Sequence, residues 1–317
     1  MKQRILTGIG MFAVIALVLF LSEYVLPIVY DAFVLLLMVI SAFEICKAIS
    51  KKYGRPIYAI LFLYIFLGYM LFKITHSYFG RAGITSFFSI LGFLIIVALI
   101  YNMFSERQTL SNIISTVFCM VYPLSIMVYM LALNYLGVGT ESAKGLIFTD
   151  WTFDPMATGV FIPNYRAIAV ISVLICSSFT DIFALIVGMK FKGPKLAPHI
   201  SPKKTISGGI GGIFGGLLGA GVVLGLGYTG VIMGLTPLSD VVWKNILLYM
   251  GMGFGIAFFT EIGDLIASYI KRYCEIKDYG TLFPGHGGML DRIDGIILSS
   301  VFTYAYFTVI LMFSGLA

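Results

Sequence analysis

Acidic and basic residues are concentrated near the C-terminus, inside and just after an apolar run. Read as a helix at about 100° per residue, this run places one set of charged and hydroxyl side chains on a single face: Glu261, Asp264, Ser268, Lys271 and Arg272. Carboxylates in an apolar helix cost several kcal/mol unless they are paired, solvated or bound to a ligand. The pattern therefore predicts either an ion pair with Lys271 or Arg272, or a hard cation held by carboxylate oxygens, and the residues that follow favour the cation.

A glycine-rich turn follows this run. Gly287 and Gly288, with Gly285, surround His286, and such a turn can direct its backbone amides at an anion. We expect His286 to contact a phosphate or a base, since the chain's other histidines are distant in sequence and a zinc site is not indicated.

Two aspartates come directly after the turn, at the predicted start of the last helix. Asp291 and Asp294 are three residues apart and flank Arg292, so they are neighbours on one helical face. A single Asp there would be read as a helix cap, but two acids beside an arginine favour more than capping. Carboxylates that hold Mg²⁺, with cations that hold a polyphosphate, fit this mixture.

A second basic segment lies upstream. Lys203 and Lys204 stand among Pro194, Pro198 and Pro202, which predict a non-helical loop. Any single lysine here is explained by membrane topology alone. For this adjacent pair we favour contact with the phosphate of a substrate.

The composition places these charges in a membrane protein. The chain has 317 residues, of which 21 are Lys or Arg and 15 are Asp or Glu, so charged residues make up 11% and apolar residues 59%. A soluble protein has about 25% charged residues, which excludes a soluble enzyme, a disordered tail and a disulfide-rich secreted domain. The net charge of +6 does not indicate nucleic acid, because in a membrane protein the location of the charges matters more than their sum.

Apolar segments of about 20 residues predict an all-α, polytopic protein with about nine transmembrane helices. Their centres lie near residues 13, 36, 66, 94, 122, 177, 220, 254 and 303. The first is read as a retained helix rather than a cleaved signal peptide. Residues 1–137 form the N-terminal helices, 138–165 an extracytoplasmic loop, and 166–317 a C-terminal catalytic region with cytoplasmic basic loops.

The placement of Lys and Arg predicts the orientation. With the N-terminus in the cytoplasm and nine crossings, sixteen of the 21 basic residues are inside and five are outside. We therefore expect a multi-pass protein of the cell (cytoplasmic) membrane, with its active site facing the cytoplasm.

Glycines between Ser207 and Gly234 recur every four residues. Gly208, Gly212 and Gly216 form one row, and a second row is offset from it by three residues. This spacing lets helix backbones approach closely in lipid, whereas a phosphate-binding loop would need a pattern that is absent here. We expect a packing role.

The C-terminal motif resembles the signature of the phosphatidate cytidylyltransferases, the CDP-diacylglycerol synthases. In this chain the signature runs from Ser268 through Lys271, Arg272, Lys277, Asp278 and Gly280 to Pro284, His286, Gly287, Gly288, Asp291, Arg292 and Asp294. A second block, Asp181–Thr205, is also similar to that family. The resemblance covers about residues 180–295; the N-terminal half is similar only in its hydrophobic spans.

The resemblance implies transfer of the CMP moiety of CTP to phosphatidate, which yields CDP-diacylglycerol and pyrophosphate. Mg²⁺ is the expected cofactor, and a second cation is left open. We expect Asp264, Asp291 and Asp294 at the metal, because three carboxylates from two helices form a compact oxygen site. We expect catalysis to depend on Asp264, Lys271, Arg272, Asp291 and Arg292, and the substrates to be bound by Lys203, Lys204, Ser268, Lys277, Asp278, His286, Gly287 and Gly288. CTP, phosphatidate or a related lipid phosphate, and the bilayer are the expected partners, with no nucleic acid; a homodimer is favoured.

One position departs from the family's pattern. Where the family has Thr-x-Glu-Gly, this chain has Thr205-Ile206-Ser207-Gly208, so a loop carboxylate is missing. This leaves open an isoprenoid ether-lipid phosphate as the lipid substrate. A secondary transporter, with Asp181, Glu261 and Asp264 as an ion path, is the alternative outside enzymes. A membrane glycosyl-phosphate transferase would use Mg²⁺ and aspartates but not the His-Gly-Gly turn.

Overall fold

The protein is described by a computed structural model. The structure describes residues 2–24, 26, 28–79, 83–105, 109–137, 164–230, 235–283, 285 and 287–313. Most of the predicted extracytoplasmic loop 138–165, and His286 of the glycine turn, lie outside these residues.

Long helices make up nearly all of the described chain. They are α1 (Lys2–Tyr24), α2 (Ile28–Ile49), α3 (Tyr58–Phe79), α4 (Gly83–Met103), α5 (Leu110–Cys119), α6 (Ile126–Leu133), α7 (Tyr165–Phe191), α8 (Ile206–Thr229), α9 (Val242–Tyr273) and α10 (Leu290–Phe313). A π-helical turn, Met120–Ser125, contains Pro123 and joins α5 to α6.

The structure confirms the all-α membrane fold. Among the described residues, eight helices are long and apolar enough to cross a bilayer, with α5 and α6 counted as one span, Leu110–Leu133. A shorter apolar helix, Thr7–Glu23, lies within α1. Each of the nine predicted centres falls inside one of these helices, because a length of about 20 apolar residues is a sufficient signal for a span. The chain is a multi-pass membrane protein.

A short antiparallel hairpin interrupts the helices where the prolines predicted a non-helical loop. Strand β1 (Lys195–Ala197) pairs with β2 (Ser201–Thr205), and Lys195 is opposite Thr205. The side chain of Thr205 then caps α8 by accepting a hydrogen bond from the amide of Gly208 at 3.1 Å. The hairpin thus fixes the start of α8 and the direction of the lysines just before it.

The described residues form two compact units. The first holds the described residues up to Ala132 together with Lys271–Ile293; the second holds Leu133–Gly137, the described residues from 164 to Ile270, and those from Asp294 onward. The last turn of α9 and the loop up to the start of α10 therefore belong to the unit that is formed mainly by the N-terminal helices.

Glycines of α8 lie against two neighbouring helices of the second unit, as their spacing predicted. A Cβ added at Gly219 would lie 2.9 Å from the Cα of Cys176 on α7. At Gly216 it would lie 2.5 Å from the Cβ of Ala257 on α9. Backbones this close leave no room for a side chain, and small residues at such contacts are the usual means of packing helices in lipid.

Two glycines of α8 provide a direct test of this packing. We expect Gly216→Ala to lower the stability of the protein by about 1–3 kcal/mol, because the added methyl overpacks the contact with α9. Gly225→Ala is the matched control, since nothing lies within 4 Å of its added Cβ, and we expect no loss of stability. Thermal unfolding in detergent measures both, and equal melting temperatures for the two variants would contradict the packing role.

Candidate active site

A lysine and two carboxylates form a compact ion cluster in the second unit. The Nζ of Lys204 on β2 lies 2.9 Å from Oε2 of Glu261 and 2.8 Å from Oδ2 of Asp264, both on α9. The two acids are on one helical face, as their spacing predicted, but the structure pairs them with Lys204 rather than with Lys271 or Arg272. We call Lys204, Glu261 and Asp264 the Lys204 cluster.

The Lys204 cluster depends on the close packing of α8. A Cβ at Gly212 would lie 2.5 Å from Oε1 of Glu261, so the carboxylate occupies the space that a larger residue would fill. The Glu261 side chain is 13% exposed and that of Asp264 is 33% exposed. Asp264 is therefore the member of the cluster that is most accessible to a ligand.

The two adjacent lysines of β2 differ in environment. Successive side chains of a strand point to opposite faces, so Lys203 is exposed while Lys204 turns toward the acids. Burial alone would lower the pKa of Lys204, but the carboxylates of Asp264 and Glu261 raise it above its ordinary value. Lys204 is therefore protonated across the physiological range.

Ser207, which stands where the family has a glutamate, forms a hydrogen bond with the nearby backbone. Its hydroxyl donates to the carbonyl oxygen of Lys192, which ends α7 with a positive φ of 53°. A glutamate could not donate this hydrogen bond at neutral pH. Ser207 thus ties the end of α7 to the start of α8.

Helices α9 and α10 approach closely beside Asp264. A Cβ at Gly263 would lie 2.6 Å from the carbonyl oxygen of Asp294, and one at Gly295 would lie 2.7 Å from Cγ2 of Thr260. Asp264 and Asp294 therefore flank the contact between the two helices within one unit. Oδ1 of Asp264 accepts a 3.3 Å hydrogen bond from Ser268, and Oδ1 of Asp294 accepts one of 2.9 Å from the amide of Gly295.

The glycine turn is present in the first unit. Gly285 and Gly287 have φ values of 76° and 83°, a left-handed conformation that favours glycine. The amide of Phe283 donates to the carbonyl oxygen of Gly287 at 2.9 Å and closes the turn. The predicted tight turn is confirmed for these described residues.

Asp291 fastens this turn to the last turn of α9. Its Oδ2 accepts hydrogen bonds from the amides of Tyr279 at 2.8 Å and Gly288 at 2.9 Å. Its Oδ1 lies 2.9 Å from Nζ of Lys271, and the Asp291 side chain is only 3% exposed. The anion that the turn faces is thus a protein carboxylate.

A second carboxylate holds the same loop, and the sequence analysis did not identify it. Glu44 on α2 is buried, and its two oxygens accept hydrogen bonds from the amides of Met289 and Leu290, both at 2.8 Å. These amides begin α10, so Glu44 supplies the helix cap from 245 residues away in the chain. The available signal was an acid inside an apolar span, which in a membrane protein indicates a function by default.

Several other predicted site residues lie at the surface of the first unit. They are exposed charged residues of the end of α9, the loop and the start of α10: Arg272, Lys277, Asp278 and Arg292. Gly287 and Gly288 belong to the turn, and His286 is outside the described residues. Within the part of the chain that the structure describes, no three His, Cys, Asp or Glu side chains form a group that could hold a metal by themselves.

The comparisons with known proteins bear on what these charges do. A family model described as "Cytidylyltransferase family" matches residues 2–310. The chain belongs to this family. The match covers both units, including the N-terminal helices in which the sequence showed similarity only in hydrophobicity.

Curated relatives are named phosphatidate cytidylyltransferase. One from Brucella abortus (strain 2308) is 41% identical over 131 residues, which is 40% of this chain and 42% of the relative. One from Rickettsia conorii is 39% identical over 127 residues, 39% of this chain and 51% of the relative. One from Thermotoga maritima is 32% identical over 153 residues, 47% of this chain and 54% of the relative. The match thus spans about half the length of these proteins.

The lysines of β2 allow the ion cluster to be tested. We expect Lys204→Met to lower stability by about 1–3 kcal/mol, because it leaves Glu261 and Asp264 together without their cation. Lys203→Met, on the exposed face of the same strand, should change stability by less than about 0.5 kcal/mol. Thermal unfolding of both variants beside the wild type measures the difference.

The pH dependence follows from the direction of the pKa shift. A raised pKa means that the stability contributed by Lys204 is fully present below the lysine's unfolded pKa and is lost as pH rises through its folded pKa. The stability gap between wild type and Lys204→Met should therefore be constant from pH 7 to about pH 9. A gap that closes in that range would contradict the cluster.

Proposed function

We propose that the chain transfers the cytidylyl group of CTP to phosphatidate and releases pyrophosphate. The observation that carries the proposal is the family match over residues 2–310, and the names of the curated relatives support phosphatidate as the acceptor. The alternative of a secondary transporter gains no support from either comparison. The product is CDP-diacylglycerol, a lipid that stays in the bilayer.

The chemistry requires positioning and charge neutralisation. A phosphate oxygen of phosphatidate attacks the α-phosphorus of CTP, the bond from that phosphorus to the β-phosphate's bridging oxygen breaks, and pyrophosphate leaves. A phosphomonoester is already nucleophilic near neutral pH, so no strong base is needed. The protein has to hold two anions in line and neutralise their charge.

The basic side chains of the first unit suit the triphosphate. Lys277 and Arg292 are exposed and flank the glycine turn, and Arg272 lies in the last turn of α9. We assign these three to the phosphates of CTP and the leaving pyrophosphate. Lys271 is engaged by Asp291 at 2.9 Å, so its contribution includes holding the loop.

The donor set fits a magnesium ion that is shared with the substrate. Mg²⁺ is usually bound by one or two carboxylates, several waters and substrate phosphate oxygens. Asp264 and Asp294 flank the close approach of α9 and α10, and the Asp264 side chain is 33% exposed. We assign the metal to Asp264 and Asp294; it would withdraw charge from the phosphates.

Asp291 suits a different role from the metal ligand that the sequence predicts. Its carboxylate has two amide donors and a lysine, and its side chain is 3% exposed. A metal would have to displace these donors. We therefore assign Asp291 to positioning the loop that carries the nucleotide contacts.

The exposed Lys203 is assigned to the phosphate of the lipid head group. Lys204 is held by Glu261 and Asp264, so its charge acts mainly on the carboxylates that the metal would approach. The distribution of basic residues supports a location in the cell membrane, with the active site facing the cytoplasm. The predicted homodimer stays a prediction, which the mass of the detergent-purified protein would test.

The metal assignment predicts a specific loss of activity. We expect Asp264→Asn and Asp294→Asn to reduce pyrophosphate release from CTP and phosphatidate by about 100-fold or more, because a ligand to a charge-stabilising metal is lost. The concentration of Mg²⁺ for half-maximal rate should rise in both variants. Asp240→Asn, an exposed acid between α8 and α9, is the control and should retain wild-type turnover. Wild-type rates in both Asp264→Asn and Asp294→Asn would overturn the assignment.

The identity of the lipid can be tested separately. With CTP saturating, we expect kcat/KM for phosphatidate to exceed that for an isoprenoid ether-lipid phosphate by about tenfold or more, as discrimination between lipid backbones requires. Mixed micelles that contain each lipid, assayed by release of pyrophosphate, give both values. The reverse preference would leave cytidylyl transfer as the reaction but would make the isoprenoid ether-lipid phosphate its acceptor.

A further inference from the structure

Glu44 lies far from the charged C-terminal motif in sequence, yet its carboxylate is part of the loop's support. It is 8% exposed and lies near the C-terminal end of the apolar helix α2. Its oxygens receive the amides of Met289 and Leu290, both at 2.8 Å. All of these residues belong to the first unit.

The loop is shaped around this carboxylate. A Cβ on Gly280 would lie 2.9 Å from Cδ of Glu44, and one on Gly288 would lie 2.6 Å from the same atom. Glycine at both positions therefore leaves the space that Glu44 fills. Glu44 contacts the loop near its beginning and at its end.

Glu44 and Asp291 accept hydrogen bonds from different backbone amides of the loop. Asp291 takes those of Tyr279 and Gly288, and Glu44 takes those of the next two residues, Met289 and Leu290. Two carboxylates so close repel each other, and burying each one costs several kcal/mol before its hydrogen bonds are formed. A neutral Ser or Asn would cap a helix without that repulsion.

We propose that Glu44 is a positioning residue, whose carboxylate holds the loop from Tyr279 to Leu290 in the conformation that binds the nucleotide. The inference rests on the proposed function, because the loop is flanked by two of the residues assigned to CTP, Lys277 and Arg292. Glu44 itself touches no reacting atom. It acts through the backbone amides that precede Asp291 and Arg292.

The test compares two buried acids of the same helix. Glu44→Gln keeps the shape of the side chain but removes its charge. Its single carbonyl oxygen can replace only part of the hydrogen bonding that the two carboxylate oxygens provide. Asp31→Asn makes the same change at the other end of α2, where Asp31 is 1% exposed and lies 3.6 Å from Nζ of Lys73. Asp31 is not in the proposed catalytic or binding machinery, so it reports the effect of removing a buried charge from α2.

The kinetic result separates positioning from stability. We expect Glu44→Gln to raise KM for CTP about tenfold with a smaller change in kcat, as the loss of hydrogen bonds to a charged group predicts. Glu44→Asp, which restores the charge on a shorter side chain, should recover part of this loss. Asp31→Asn should lower the melting temperature and leave KM for CTP unchanged.

A second measurement needs no turnover. Hydrogen–deuterium exchange of peptides covering residues 279–290 should be faster in Glu44→Gln than in the wild type and unchanged in Asp31→Asn. Wild-type KM for CTP and wild-type exchange of this segment in Glu44→Gln would overturn the role of Glu44 even if the melting temperature fell. Absence of CTP turnover in the wild-type protein would instead overturn the proposed function, so the two failures are distinguishable.

Discussion

A carboxylate inside an apolar helix is tolerated only where donors surround it, because removing it from water costs several kcal/mol. Two such places in the described helices bear on the candidate site. In the second unit the donor is Lys204, which reaches Glu261 and Asp264 from the hairpin. In the first unit backbone amides of one loop donate to Glu44 and Asp291, and Lys271 pairs with Asp291.

The positions of several glycines follow from the same need to surround a buried carboxylate closely. Gly212 leaves the space that the Glu261 carboxylate occupies, and Gly280 and Gly288 do so for Glu44. Gly216 lets α8 approach α9, the helix that carries both acids of the Lys204 cluster. These glycines are therefore needed for close approach to charge or to backbone, whereas the positive φ of Gly285 and Gly287 is a matter of conformation.

The sequence was sufficient for the spans, the glycine packing and the tight turn, because each of these depends on a local signal: length of an apolar run, a four-residue period, or adjacent glycines. The common face of Glu261 and Asp264 was also local. Their partner was not, since it depends on which way a strand of five residues presents Lys203 and Lys204. Glu44 was missed because its partners are amides 245 and 246 residues away, and an amide has no signature in sequence.

The cations, amides and solvent around each carboxylate distinguish acids that look equivalent in the sequence. In the Lys204 cluster two carboxylates share one lysine; in the first unit Lys271 pairs with Asp291, and the neighbouring Glu44 is held by backbone amides. In the first unit the amides at the start of α10 offset the excess, since a helix N-terminus favours negative charge, and the carboxylates are almost fully buried. In the Lys204 cluster the described partners of the acids are the Lys204 ammonium group and the Ser268 hydroxyl rather than a helix N-terminus, and Asp264 stays 33% exposed. A partly solvated carboxylate beside an uncompensated charge attracts a cation, whereas one saturated by amides holds backbone in place. This difference is the physical reason to assign the metal to Asp264 and the loop to Asp291, although both are aspartates on consecutive helices.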